Sequence, residues 1–334
     1  MIFISVDCRC TNMRCRLFSD GRKLSEARKK GGGSTTALTG NNEQLKQNLR
    51  DCLKECIDGG GIGEKDVEVV ILSGTVTSDV GVYYAPHRIA PAGPSESAGG
   101  AQYVKLPEIS PIPMLFVPGV RTCGDKNDPD RVKLIDSFDA MSGEECEVYG
   151  IRKLLGLEEG FTVVLPGSYS KSVYVDETGR ICSISTGMCG EFMTALAENT
   201  LLRKTLPHPV IREIIPEKLI EGFDYARARG VSGSLAKSRV LQVHCGYSVD
   251  EAGNFFAGAA LLDDVSAALR EVRPGKPLII GGSNPFRHAM YILLCHIGCE
   301  ASGITELSDD VSNMAPAAGQ LEVWKFFARK EQRG

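Results

Sequence analysis

The 334-residue chain lacks any apolar run approaching the roughly 20 residues that a helical membrane span requires. Lys/Arg runs longer than a few residues are also missing, and the formal net charge is -4. A nucleic-acid or membrane-surface role would need a basic stripe, so both are disfavoured. The opening Met1–Asp7 has neither a basic region nor a sustained apolar stretch, so it does not read as a signal peptide, and the expected location is the cytoplasm. CxxC pairs are absent although there are 12 cysteines, which excludes a zinc ribbon. Cys52 and Cys56, like Cys295 and Cys299, fall four apart on expected helices, so buried, reduced thiols are expected. Only Cys8-Arg9-Cys10 leaves room for a soft metal. No GxxxxGK[ST] phosphate loop occurs, and Gly59–Gly63 lacks the strand–GxGxxG–helix setting of a dinucleotide fold. Ser168–Lys171 and Ser234–Lys237 both match SxxK, but neither SDN nor KTG accompanies them, so chance explains both.

What is present is ordinary globular composition, 43% hydrophobic and 24% charged, in a chain long enough for two cores. Residues 1–30 read as a three-stranded meander whose second turn is Asp20-Gly21. Gly31–Ser34 reads as a flexible loop. Leu45, Leu49, Leu53 and Ile57 repeat every four residues, which predicts an amphipathic helix over 42–58 ended by Gly59–Gly61. Val67–Leu72 and Pro113–Val117 are expected strands, 81–100 a long loop, and 124–137 a polar exposed stretch. A helix begins at Gly143, and the domain boundary is placed near 140, giving domains 1–140 and 141–334. Thr162–Leu165, Ser172–Val175 and Ile181–Ser185 repeat the meander around an Asp176–Gly179 turn. Helices follow at 189–202, 209–230, 250–272, 285–298 and 314–330, with a buried strand at Leu278–Ile280. The alternation implies α/β layers, and the recurring meander implies a structural duplication.

Two strand–turn–strand pieces carry the chemistry: Ile4–Arg14, and Leu165-Pro166-Gly167-Ser168-Tyr169-Ser170-Lys171. Between them Met141–Glu147 gathers carboxylates at a helix start. Phosphoryl transfer needs donors and a cation at the phosphates, a carboxylate for Mg²⁺, and a base for the attacking hydroxyl. Asp7 at a strand end suits the metal-organising carboxylate, while Thr11 and Asn12 offer short donors. Gly167 allows close backbone approach, and Ser168, Ser170 and Lys171 add donors and charge. Glu144 and Glu145 are the candidates for the base. Each residue also has a plain explanation: Asp7 could cap a turn, Lys171 could be a solvated hairpin lysine, and the two glutamates could serve the helix dipole.

At these residues the chain resembles the 2-dehydro-3-deoxygalactonokinase family, sugar-acid kinases of the actin/hexokinase/Hsp70 superfamily. Asp7–Arg14 is similar to that family's D-W-G-T-T-N-x-R turn, Ser142–Glu147 to R-G-E-E-T-Q, and Leu165–Lys171 to L-P-G-T-H-S-K. Cys189–Phe192 resembles T-G-E-L-F, and the motifs keep family order over most of the chain. The resemblance implies an α/β fold of two actin-like (ribonuclease H-like) domains, each with a mixed β-sheet, and an ATP cleft between them. It implies Mg²⁺ as cofactor, ATP as co-substrate and transfer of the γ-phosphate to the 6-hydroxyl of 2-dehydro-3-deoxy-D-galactonate. The first domain would hold the sugar-acid side and the second the adenosine side. By carry-over, Asp7, Arg9, Thr11 and Asn12 form the first phosphate turn, with Asp7 toward the metal. Gly167, Ser168, Ser170 and Lys171 form the second. Glu144, ahead of Glu145, is the base. Gly253, Gly258, Gly281 and Gly282 would lie near adenosine, and Arg88, Arg121 and Ser73 near the sugar acid, where a guanidinium fork suits a carboxylate. Partners are thus the sugar acid and ATP, without nucleic acid or membrane; a homodimer is compatible with the sequence.

The first turn departs from the family pattern, with Arg9 in place of glycine and Cys8 and Cys10 in place of Trp and Thr. An arginine is strained there if the turn needs a positive φ; alternatively, Arg9 contacts phosphate itself. One rival reading follows, a nucleotide- and sugar-acid-binding protein with impaired turnover; a second, an exopolyphosphatase-like phosphohydrolase, comes from Ser142–Glu145, which also resembles the carboxylate motif of exopolyphosphatases in this superfamily.

Overall fold

The computed structural model describes residues 1–332. Contacts group Met1–Glu158, Thr178–Cys182 and the residues from Asp310 onward into one unit, and Glu159–Glu177 with Ser183–Asp309 into another.

In the first unit the meander forms β1 (Ile2–Cys8), β2 (Asn12–Ser19) and β3 (Arg22–Lys30). Asp20 and Gly21 take φ of 47° and 79°, as a primed hairpin turn requires. With β4 (Val69–Gly74), β6 (Gln102–Leu106) and β7 (Ser110–Phe116), these strands make a sheet ordered β3-β2-β1-β4-β7-β6. A small second sheet joins β5 (Arg88–Ile89), β8 (Val120–Arg121) and β9 (Ala140–Met141). Alternation along β1 sends Ile4, Val6 and Cys8 to one face, where the helix Glu43–Gly60 lays Leu45, Leu49, Leu53 and Ile57 on them. Truncating Leu49 to alanine there would cost about 2–5 kcal/mol. Ser5 and Asp7 point to the opposite face and are buried as well.

The expected boundary at 140 is not where contacts divide the chain. The helix Glu144–Leu155 and the C-terminal helix Asp309–Glu331 cross with their backbones touching. A side chain at Gly150 would lie 1.8 Å from the Ala315 carbonyl oxygen, and one at Gly319 would lie 1.8 Å from that of Cys146. Gln320 ties this helix to the sheet, its Nε2 donating to the Val6 carbonyl at 2.8 Å and to Ser73 Oγ at 2.9 Å.

The second unit repeats the pattern with β10 (Phe161–Leu165), β11 (Ser170–Val175), β12 (Ile181–Gly187), β13 (Leu278–Ile280) and β14 (Ile304–Glu306), ordered β12-β11-β10-β13-β14. In each unit the first strand runs antiparallel to the second and parallel to the fourth in line, β1 with β2 and β4, β10 with β11 and β13. This is the actin-like mixed sheet, present twice. Six helices from Cys189–Asn199 to Phe286–Ile297 surround the second core.

Several sequence expectations shift. The 81–100 loop contains β5 and the helix Pro94–Gly100, and the 124–137 stretch contains the helix Arg131–Asp136. The 250–272 helix is two helices broken at Leu261, while the helix Val231–His244 and β14 lie where no element was expected. All twelve cysteines are free, and six are buried. Among the described residues no helix is long and apolar enough to cross a membrane.

Candidate active site

The turn after β1 is built on its own carbonyls. The Arg9 amide donates to the Asn12 carbonyl at 2.8 Å, and the Gly31 amide to that of Thr11 at 2.8 Å. The Ser34 amide and hydroxyl both donate to Cys10 O, and Thr75 Oγ1 donates to Arg9 O at 3.1 Å. The glycine segment read as a flexible loop is therefore a brace: a side chain at Gly32 would fall 1.8 Å from the Arg9 carbonyl oxygen. Thr11 and Asn12 are exposed at the tip. Arg9 carries no left-handed strain, because Asp20 is the only positive-φ non-glycine among the described residues. That expectation of strain is overturned.

Arg9 reaches back along its own strand instead. Its Nε lies 3.2 Å and 3.3 Å from the two oxygens of Asp7, and its Nη2 donates to Glu147 Oε2. Asp7 is 7% exposed, Glu147 2%, and the Arg9 side chain 32%. Among the described residues Nη1 has no protein partner, so one edge of a pinned guanidinium remains available. Burial pushes the Glu147 carboxyl up, with Arg9 opposing it. Burial also works to lower Arg9, but Asp7, Glu147 and Glu144 together hold it well above its ordinary range. Glu147 was not singled out from sequence, although three acids in the first turn of one helix were a signal.

The helix carrying these acids starts at Gly143, which admits only glycine: its φ is 106°, and a Cβ there would stand 2.8 Å from the Gly74 Cα. The same position lies 3.8 Å from Asp7 Oδ1, so the helix start sits beside the end of β1. Glu145 is fully buried, and its Oε2 accepts from the Gly143 amide at 2.7 Å. Burial, then the Glu144 charge, pushes its carboxyl up to about 8. Glu144 is half-buried, and its Oε2 has no hydrogen-bond partner. Of the three acids, Glu145 is sealed and Glu147 is paired, which leaves Glu144.

The second unit's turn is furnished differently. Gly167 N donates to Ser170 Oγ at 3.3 Å, and Ser170 Oγ donates to Asp264 Oδ2 at 2.5 Å. The Glu191 amide donates to the Ser168 carbonyl at 3.1 Å, so the helix Cys189–Asn199 buttresses the turn. Lys171 is buried on β11 with Nζ 2.7 Å from Thr186 Oγ1. A side chain at Gly187 would fall 1.9 Å from Asp264 Oδ1, so that glycine makes room for the carboxylate. Asp264 is buried, which pushes its carboxyl up against the lowering effect of Ser170 and Cys189. No sequence signal marked Asp264, which lies 94 residues from its partner.

Other sequence candidates scatter. Gly281 and Gly282 follow β13, and Gly282 lies beside Pro166 of the second turn. Gly253 and Gly258 are explained by packing: side chains there would fall 2.5 Å from the Val210 and 1.8 Å from the Leu219 carbonyl oxygen. Their expected tie to adenosine therefore has no support in their being glycine. Ser73 is fully buried and held by Gln320, so it presents no surface to a substrate. Arg88 pairs in register with Val120, and Arg121 with Ile89, so the two guanidinium groups leave their sheet on opposite faces. They do not form one carboxylate clamp.

The Mg²⁺ implied by the family resemblance can be tested on Asp7, its expected ligand. Both Asp7 oxygens lie against Arg9 Nε, and among the described residues no three His, Cys, Asp or Glu side chains gather as a metal site. A directly ligated cation there would meet the guanidinium, so these residues do not fit a protein-held Mg²⁺. The expectation allowed Asp7 to organise the metal directly or through water, and it is the direct form that Arg9 opposes. Cys8 and Cys10 likewise belong to no such cluster among the described residues, so a soft metal gains no support there.

No curated protein matches the chain. Among solved structures, a proposed 2-dehydro-3-deoxygalactonokinase of Sinorhizobium meliloti aligns over 97% of this chain and 96% of its own, at 21% identity and a TM-score of 0.74. Component A of the Acidaminococcus fermentans (R)-2-hydroxyglutaryl-CoA dehydratase aligns over 98% and 99%, at 12% identity and 0.52. At such identities these likenesses speak for the fold alone. The sequence model of one family, described as 2-keto-3-deoxy-galactonokinase, matches residues 7–312 and so takes in both turns and the carboxylate helix between them. With that match the chain belongs to the 2-keto-3-deoxy-galactonokinase family, a family of sugar-acid kinases.

Proposed function

We propose that the protein transfers the γ-phosphate of ATP to the 6-hydroxyl of a 2-keto-3-deoxy sugar acid, 2-dehydro-3-deoxy-D-galactonate first among them. The supporting observation is Glu144: a half-buried carboxylate, partnerless at Oε2, at a helix start beside a guanidinium pinned by two neighbouring acids. In this reading Glu144 accepts the proton of the attacking hydroxyl, a role worth about 10²–10⁴-fold. Arg9 Nη1 and Lys171 meet phosphate charge as donors fixed in advance, so little reorganisation is needed at the moment of transfer. Arg88 and Arg121, both half-buried and on opposite faces of their small sheet, are the two candidates for the substrate carboxylate. Thr11, Asn12 and Ser168 are the further donors of the two turns. The reading takes Mg²⁺ as arriving with ATP.

The experiment is ADP release from Mg·ATP with and without 2-dehydro-3-deoxy-D-galactonate. Release that depends on the sugar acid is the expected result. Release without it would point to a phosphohydrolase, and ATP binding without release to a binding protein.

A further inference from the structure

Asp7 at the end of β1 and Glu147 on the nearby helix are two buried carboxylates facing one guanidinium, an arrangement that needs a cation. Arg9 already supplies one. Its guanidinium touches both oxygens of Asp7 and one of Glu147, and both acids are more than nine-tenths buried. Neither acid gains from solvent what it would lose by releasing Arg9. The turn holds Arg9 through its backbone as well, by its amide to Asn12 and by the Thr75 hydroxyl on its carbonyl. A guanidinium suits this place: it is planar, weakly hydrated and always charged, and can grip two carboxylates at once. Mg²⁺ sheds water reluctantly and requires octahedral oxygens, which a neighbouring fixed cation opposes.

We infer that Arg9 is the resident cation of the first turn, occupying the place where a divalent ion would otherwise be recruited, with Glu147 as its positioning residue. The protein then holds no metal of its own at Asp7, and Nη1 is the edge that Arg9 turns to an anionic ligand. The phosphate contact rests on the kinase reading; the cation's place does not.

The test uses Mn²⁺ as probe, followed by its electron paramagnetic resonance signal without nucleotide, on full-length wild type, Arg9→Gln, Arg9→Ala and Asp7→Asn. Wild type should leave Mn²⁺ free up to about 1 mM, where weak oxygen sites begin to fill. Both Arg9 variants should bind one ion at least about tenfold more tightly, a typical scale for changes around a metal site. Adding Asp7→Asn to Arg9→Gln should abolish that binding. Tight Mn²⁺ binding by wild type that Asp7→Asn removes would overturn the inference, and this arm needs no Arg9 variant to fold. Equal silence of wild type and folded Arg9 variants would overturn it too. ATP titrations separate the second part. If wild type fails to bind ATP, the kinase reading falls and the Mn²⁺ result stands. If wild type and Arg9→Gln bind ATP equally, the Nη1 contact is refuted.

Discussion

The two turns sit on the same strand order yet are held by opposite means. The first, after β1, is governed by full charges: Asp7 and Glu147 grip Arg9, and the turn's carbonyls are braced by Gly31–Ser34 and Thr75. The second, after β10, is governed by a relay from the Gly167 amide through the Ser170 hydroxyl to Asp264, with Lys171 set on the neighbouring strand. Duplicated topology thus fixes where a turn falls and leaves its chemistry free. Where charges are buried, each must be matched, because an unpaired buried ion costs several kcal/mol. Where hydroxyls carry the contact, one buried carboxylate can be kept with a raised proton affinity instead.

The sharpest way to break this comparison is to remove one charge from each turn. Asp7→Ala and Lys171→Ala should each lower kcat about 10²–10³-fold, the scale expected when a fixed electrostatic group is lost. Steady-state kinetics on variants with native circular dichroism would read this, and wild-type rates in both would remove the phosphate assignment.

The relay should respond more gently. Asp264→Ala frees the Ser170 hydroxyl and should raise the ATP KM about tenfold, or about 1.4 kcal/mol, with a smaller change in kcat. Asp264→Asn keeps an acceptor for Ser170 and should restore most of the affinity. Equal losses in both would mean that Asp264 serves packing alone.

The last prediction falls on stability and leaves the rates aside: it concerns Glu145, whose carboxyl sits at about 8 against an ordinary 4.5. Between those values the folded chain keeps a proton that the unfolded chain has released. Its contribution to stability is therefore full below about 4.5 and is lost as pH rises through 8, a change of a few kcal/mol at most. Glu145→Gln should flatten the fall of melting temperature across that window. An unchanged slope would place the titrating group elsewhere.

Much of this was legible locally. The four-residue repeat from Leu45 to Ile57 gave the helix Glu43–Gly60, and Asp20-Gly21 gave its hairpin. The paired meanders gave three strands of each main sheet. The Arg9 problem was visible, but its answer was not, since Glu147 lies 138 residues away. Gly253 and Gly258 looked like ligand glycines because a sequence does not distinguish backbone meeting a ligand from backbone meeting Leu219 or Val210. Glu144 and Glu145 stood side by side as candidates, with Glu144 ahead; adjacent helix positions face different surroundings, and only Glu145 is fully buried.

Sequence by itself determined the alternation of strand and helix, the two polar turns, the carboxylates at a helix start and the order that marks the family. These are properties of neighbours along the chain, written in periodicity and in turn residues. Tertiary structure decided which acid pairs with Arg9, that the last helix packs on the first sheet, and that Asp264 holds the second turn. Those are contacts between residues far apart in sequence, fixed by the need to match each buried charge and fill each buried face once the chain has closed.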